Sequence, residues 1–251
     1  MSEGNFSNVI DLAEYQVQPR EIDHGLIIVY GAMRCNKTTL ALEYARELDE
    51  ERNVMAFRPT QDPRHANDQI ESQNPHAEPL PAMRTPSLAP LLGWDADVVV
   101  ADEPHFWEDP KHEGRPHEAS FQALVSVLFK ERGLVVVSTL DKNYMAQEFE
   151  WFSRLRSVGE ELGKIDLGFQ MVQVKGYCEL CPRDDLGAIK PSEFTNLYLH
   201  GVKQHEGSPV IGEEDKDKQV FIPCCADCVN AEINERLADD YEPLSEFLKA
   251  A

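Results

Sequence analysis

The 251-residue chain is poor in positive charge, in glycine and in long apolar runs, and each shortage narrows what it can be. Lysine and arginine number 24 against 45 aspartates and glutamates, a net charge of −21, which opposes extended contact with phosphate backbones or anionic lipid surfaces. Neither a nucleic-acid nor a membrane partner is expected, and any nucleotide must be held by a local basic site. No apolar stretch approaches the about 18 residues of a transmembrane helix. The opening MSEGNFSNVIDLAEYQ places acids before any base and has no apolar segment of its own, so it does not read as a secretory signal, and a cytoplasmic location is expected. With 14 glycines and 16 prolines the chain is not of low complexity, and 42% hydrophobic residues suffice for the cores of one or two domains. Its length and six cysteines exclude a miniprotein held by disulfides alone.

What is present is an alternation of strand-like and helix-like segments. Residues 1–24 are acidic and weakly periodic and read as an N-terminal extension. Gly25-Leu26-Ile27-Ile28-Val29-Tyr30 is a short apolar run of the kind buried parallel strands show, and it meets Gly31 at once. A helix follows over 37–52, with Leu40, Ala41, Tyr44, Ala45 and Leu48 on one face. Further strands are expected at 53–57, 97–101 and 133–139, with a helix at 118–132 burying Phe121, Leu124, Val125 and Leu128. This order predicts an α/β fold with a P-loop NTPase-like parallel sheet flanked by helices. Residues 58–90 and 108–117 read as loops, the usual seat of chemistry at the ends of parallel strands. Near Gly176 the texture changes to paired cysteines and short β-like runs. The chain thus divides into the extension (1–24), a P-loop domain (25–172), a small metal-stapled domain (173–230) and a C-terminal helix (231–251), whose pattern starts near Ala226 and runs to Lys249.

Three motifs carry chemistry. Gly31-Ala32-Met33-Arg34-Cys35-Asn36-Lys37-Thr38 matches a phosphate-binding loop except that Asn36 stands where glycine precedes the lysine. Such a loop needs inward backbone N–H groups at a helix N-terminus, a lysine for the β- and γ-phosphates and a hydroxyl for Mg²⁺. Asparagine is the non-glycine residue most tolerant of left-handed backbone. Asp102-Glu103 ends the strand at 97–101. Beside a P-loop, Asp102 and Thr38 suit Mg²⁺ and the adjacent carboxylate suits proton abstraction, whereas alone the pair could be two solvated acids. Cys178-x₂-Cys181 and Cys225-x₂-Cys228 offer four thiolates for tetrahedral Zn²⁺, with free or redox-paired cysteines as the alternative; Cys224 could replace Cys225, but the two-residue spacing favours Cys225. Cys35 reads as a small filler.

From Leu26 to Cys228 the chain resembles the zinc-containing cytosolic type of thymidine kinase, as a divergent member. The resemblance rests on Gly31-Ala32-Met33, Arg58-Pro59, Asp62-x-Arg64, Asp102-Glu103-Pro104-His105-Phe106, Leu140-Asp141 with Tyr144 and Phe149, Phe194-Thr195, Val210-Ile211-Gly212 and the cysteine pairs, in the family's order. Departures are Asn36 for glycine, Arg34 for an aromatic or small residue, His105 for glutamine, Phe221 for the common tyrosine, no arginine soon after Thr195, a charged insertion at 108–117 and the extension. The resemblance implies transfer of the ATP γ-phosphate to the 5′-hydroxyl of thymidine, yielding dTMP for DNA synthesis, with ATP, Mg²⁺ and structural Zn²⁺. It implies an ATP site of residues 31–38 (Gly31, Ala32, Met33, Arg34, Cys35, Asn36, Lys37, Thr38) with Asp62, Arg64, Asp102, Glu103, Pro104 and His105. Glu103 is the implied catalytic base. A zinc-fastened lasso would cover the nucleoside through Val210, Ile211 and Gly212, with Tyr144 and Phe221 as aromatic walls, although both aromatics also suit ordinary core packing. A homotetramer is implied as well. A nucleotide-binding module that has lost catalysis, or a kinase for another deoxynucleoside, are the competing readings.

Overall fold

A computed structural model describes residues 22–49, 52–62, 67–72, 74, 76–109, 112–181, 190–199, 202–204 and 219–229. Most of the expected extension and the expected C-terminal helix lie outside the described residues. Six strands form one sheet in which every neighbouring pair is parallel. They are β1 (Gly25–Tyr30), β2 (Val54–Pro59), β3 (Met83–Thr85), β4 (Val98–Asp102), β5 (Leu134–Thr139) and β6 (Gly168–Gln173), in the spatial order β6-β1-β5-β4-β2-β3. Among the described residues no helix is long and apolar enough to cross a membrane.

The apolar runs work because both faces of this sheet are covered. Ile27, Val29, Val98, Val100, Leu134 and Val136 point to one face, where α1 (Lys37–Asp49) lays down Leu40, Ala41, Tyr44, Ala45 and Leu48. Leu26, Ile28, Val99, Ala101, Val135 and Val137 point to the other, against α2 (Glu118–Val127) and α3 (Glu150–Gly163). Burying one such side chain stabilises by about 1.5–3 kcal/mol. A one-residue slip of a strand would exchange its two faces, so the register is firmly specified. Trp107 and Trp151 are wholly buried on the second face, and each indole N–H is satisfied: Trp107 Nε1 donates to Thr85 O at 2.9 Å and Trp151 Nε1 to Trp107 O at 3.0 Å.

Several elements depart from expectation for identifiable reasons. α2 ends at Val127 rather than 132 because β5 begins at Leu134: the chain reverses through Lys130, to whose carbonyl Gly133 donates at 3.1 Å. A Cβ at Gly133 would collide with the Val127 carbonyl, so only glycine fits there. Residues 58–90 contain β3 and a two-residue hairpin (Gln69–Ile70 with Leu80–Pro81), and the charged stretch 108–117 contains an antiparallel pair, Glu108–Asp109 with His112–Pro116. α3 and β6 were not anticipated. Among the described residues β6 pairs on one side only, with β1, and its GFQMVQ sequence is mostly half-buried, so it lacks the continuous apolar signature of the inner strands.

A second body follows β6. The antiparallel pair β7 (Gly176–Tyr177) and β8 (Pro191–Ser192) precedes a three-stranded sheet of β9 (Phe194–Leu199), β10 (Val202–Lys203) and β11 (Gln219–Cys224), with β9 in the middle and the turn α4 (Ala226–Val229) after it. Among the described residues, Cys178, Cys224 and Cys225 form an apolar cluster with Leu180, Phe194 and Val229 packed on them, and Leu197, Tyr198 and Ile222 are buried as well.

One packing contact makes a direct test. A Cβ at Gly159 of α3 would run into the ring of Phe169 on β6. Gly159→Ala is expected to cost about 1–3 kcal/mol from overpacking, read as a lower urea midpoint, and Phe169→Leu in the same chain should recover part of it. An unchanged midpoint for Gly159→Ala would refute this close packing.

Candidate active site

Parallel strands all end on one edge of the sheet, and the chemistry-bearing residues collect there. The turn from Gly31 to Asn36 joins β1 to α1. Gly31 has φ 149°, and a Cβ there would strike the Val174 carbonyl, so the first glycine of the motif is sterically required. Asn36 stands at φ 64°, the left-handed conformation expected of it, and Arg34 also stands at φ 59°, which its residue type did not announce. Lys37 is buried, and its Nζ donates to Ala32 O at 2.7 Å, so the ammonium lies folded against the loop. Cys35 Sγ lies 2.9 Å from the same carbonyl and 3.9 Å from Lys37 Nζ. Burial pushes the Cys35 thiol up, with Lys37 opposing, which suits a packed thiol rather than a reactive thiolate.

β4 brings the carboxylates. Thr38 Oγ1, in the first turn of α1, donates to Asp102 Oδ1 at 3.2 Å. Glu103 is buried in a left-handed conformation (φ 51°, ψ 53°), and its N–H donates to Ser138 O on β5 at 2.7 Å. The 3₁₀ turn Pro104–Phe106 returns the chain so that His105 Nδ1 lies 3.3 Å from Glu103 Oε2. At the end of β2, Arg58 and Asp62 form a buried ion pair at 3.5 Å, and Arg58 Nη1 also donates to Gln69 O at 3.0 Å. The loop after β5 is tied by Asn143 Oδ1, which accepts from the N–H groups of Met145 (2.9 Å) and Gln147 (3.0 Å), and it buries Tyr144.

The second body reaches the same edge. Thr195 Oγ1 accepts the Met33 N–H at 3.0 Å, Glu179 pairs with Arg34 at 3.4 Å, and Lys142 Nζ sits 4.5 Å above the Phe194 ring. Phe221 is half-buried on β11, opposite Leu197. The Sγ atoms of Cys178, Cys181, Cys225 and Cys228 all lie within 4.8 Å of one another, with Cys181 3.5 Å from both Cys225 and Cys228. A tetrahedral zinc with Zn–S of about 2.3 Å sets sulfurs about 3.8 Å apart, so the four thiols fit that ion. Cys225 rather than Cys224 completes the group; Cys224 is wholly buried beside it. Burial opposes ionisation of Cys225, but hydrogen bonds from the Cys228 and Asp227 backbone and the neighbouring thiols outweigh it and bring this thiol down to about 7. Arg64, Val210, Ile211 and Gly212 lie outside the described residues.

No protein-family model matches the chain. Among curated proteins, the thymidine kinase of Roseiflexus sp. (strain RS-1) is 30% identical over 187 residues, 71% of this chain and 89% of that protein. The thymidine kinase of Roseiflexus castenholzii (strain DSM 13941 / HLO8) is 30% identical over 188 residues, with the same two coverages. The chain belongs to the thymidine kinase family.

In this member of the thymidine kinase family the edge gathers a phosphate-loop backbone with its lysine, a hydroxyl–carboxylate pair suited to a divalent cation, and a second carboxylate one residue on. Four contacts around it had no sequence signal: Thr195 with Met33, Ser138 with Glu103, Glu179 with Arg34, and the stack of His105 on Phe149 at 4.7 Å. Each joins residues remote in sequence or depends on a local backbone reversal, which periodicity and motif spacing do not encode.

Two outcomes follow from this geometry. Asn36→Gly is expected to fold at least as stably as the natural chain, while Asn36→Val should lose about 1–2 kcal/mol because a β-branched residue resists left-handed backbone; equal denaturation midpoints for the two variants would contradict the strain. Metal analysis should find about one zinc per chain, and Cys181→Ser should lower that content and speed proteolytic cleavage between the cysteine pairs. A full zinc complement in Cys181→Ser would remove that cysteine from the ligand set.

Proposed function

We propose that the protein is a thymidine kinase that transfers the γ-phosphoryl group of ATP to the 5′-hydroxyl of thymidine. The observation that carries this reading is the meeting of Thr38, Asp102 and Glu103 beside the phosphate loop, with Thr38 Oγ1 and Asp102 Oδ1 3.2 Å apart. Phosphoryl transfer asks for positioning and charge neutralisation rather than covalent chemistry from the protein; Thr38 and Asp102 would serve both by holding a divalent cation, and Lys37 adds positive charge. The N–H groups of the 31–38 loop cradle the phosphates, and Lys37 leaves the Ala32 carbonyl for the β- and γ-phosphate oxygens. Arg34 adds positive charge at the loop, offsetting the acidic surface through which an anionic nucleotide must approach.

Thr38 and Asp102 would hold Mg²⁺, which neutralises the charge that develops between the β- and γ-phosphates. Glu103 takes the proton of the attacking hydroxyl, and its burial keeps competing water away from that carboxylate. The nucleoside lies under the second body, its base met by backbone groups of Val210, Ile211 and Gly212 with Tyr144 and Phe221 beside it. Structural zinc on Cys178, Cys181, Cys225 and Cys228 would fasten that body and so lower the cost of ordering a base-reading loop. Arg58, ion-paired to Asp62, braces the end of β2 on the ATP side of the same edge.

The test is transfer of labelled phosphate from ATP to thymidine, with Mg²⁺, by the natural chain and by Glu103→Gln. The natural chain is expected to phosphorylate thymidine and the variant to lose about 10²–10⁴-fold in kcat while still binding ATP. ATP binding without transfer to thymidine or to any of a panel of deoxynucleosides would instead make this a nucleotide-binding module, and transfer to a different deoxynucleoside would reassign the substrate.

A further inference from the structure

Resting on the phosphoryl-transfer reading above, we propose that His105 is a positioning residue that fixes the Glu103 carboxylate. Its Nδ1 lies 3.3 Å from Glu103 Oε2, within ion-pair reach although short of hydrogen-bond geometry, and the two side chains are only 4% and 6% exposed, so the contact is made out of water. The imidazole cannot swing away, because it stacks on Phe149 (4.7 Å, 27° between rings) and leans on Phe106 (4.5 Å, 35°). Phe149 is held in turn by its N–H donating to Asp141 O at 3.0 Å. On the other side, the Glu103 backbone is pinned in its left-handed conformation by Ser138 O, and the 3₁₀ turn that follows brings residue 105 back beside residue 103. The Nδ1 that faces Glu103 is bonded to Cγ, so asparagine places a nitrogen at the same reach, whereas the amide nitrogen of glutamine lies one bond further out. A glutamate turns about three side-chain bonds; a rigid neighbour removes that freedom before the substrate arrives, which is the contribution of positioning to rate. His105 acts through Glu103 and is not itself required to touch the reacting atoms.

Steady-state transfer from ATP to thymidine by the natural chain, His105→Leu, His105→Asn, Glu103→Gln and the Glu103→Gln/His105→Leu double variant tests this, with the thermal midpoint of each recorded. His105→Leu is expected to lower kcat by about 10- to 100-fold while KM for ATP and thymidine stays within about threefold. His105→Asn should recover most of the rate. In the double variant the two losses should overlap rather than multiply, because both remove the function of one carboxylate. Losses that multiply, or a defect confined to KM, would make His105 a packing or binding residue and overturn the proposal. Should His105→Leu fail to fold, His105→Asn and His105→Gln carry the comparison: asparagine, whose amide nitrogen sits at the reach of Nδ1, keeps more of kcat than the longer glutamine, and equal kcat values overturn the proposal. If Glu103→Gln is as fast as the natural chain, Glu103 is not the base, and the functional reading fails together with this one; a slow Glu103→Gln with multiplying losses sinks the positioning role alone.

Discussion

The parallel run of all six strands is the constraint on which the rest of the molecule depends. Strands that all point one way end on one edge, so the turn after β1, the carboxylates after β4, the Arg58–Asp62 pair after β2 and the Asn143 loop after β5 need no further device to bring them together. The same arrangement requires a covering layer on each face, which explains why β1, β4 and β5 read as continuous apolar runs instead of alternating ones. A buried sheet of this kind is stiff, and a stiff edge lets a buried carboxylate and a folded-back lysine be held at fixed separations.

That stiffness is needed because the edge stores strain. Arg34, Asn36 and Glu103 are all non-glycine residues in left-handed conformations, each costing on the order of 1–2 kcal/mol relative to ordinary backbone. Unusual backbone at single points persists only where the surroundings over-determine it. For Glu103 the determinants are visible: a bond from its own N–H to Ser138 O, the 3₁₀ turn behind it and the His105 ring beside it. For Asn36 the strain is smallest, since its side chain is the best substitute for glycine. Arg34 is held from outside by Glu179, a partly exposed ion pair that contributes little on its own account.

How much of this was legible in the sequence depended on whether the signal was local. β1 begins and ends where its apolar run does, and β4 and β5 lie within a residue of expectation, because burial on both faces leaves no polar interruptions. The cysteine pairs were legible because metal-ligand spacing is short-range: the two-residue spacing already favours Cys225 over Cys224, and the folded arrangement brings the same four thiols together. α3 was missed: its core positions Trp151, Phe152, Leu155 and Leu162 are interleaved with charged residues, and the contact position is a glycine, Gly159, which no hydrophobic pattern marks. Site residues were identifiable from P-loop chemistry and family likeness, whereas their supports were not. The neighbour of Glu103 is chosen by a left-handed backbone two residues earlier, and the partner of Met33 sits 162 residues away.

That last contact bears on how the two bodies work together. A phosphate loop is usually regarded as a self-contained turn between its strand and helix, shaped by its glycines. Here one of those glycines is replaced, and the leading limb is held from the second body: the Met33 N–H by Thr195, Arg34 by Glu179, and Cys35 by the close approach of Gly176, where an added Cβ would come within 3.1 Å of Cys35 Cβ. Glu179 lies one residue past Cys178 and Thr195 one residue past Phe194, which packs on the cysteine cluster. Whatever orders that cluster therefore also orders the limb of the phosphate loop nearest to it. A loop that has given up a glycine has lost conformational freedom that its own chain would otherwise supply, and external bonds of this kind are the physical means of holding it in one shape.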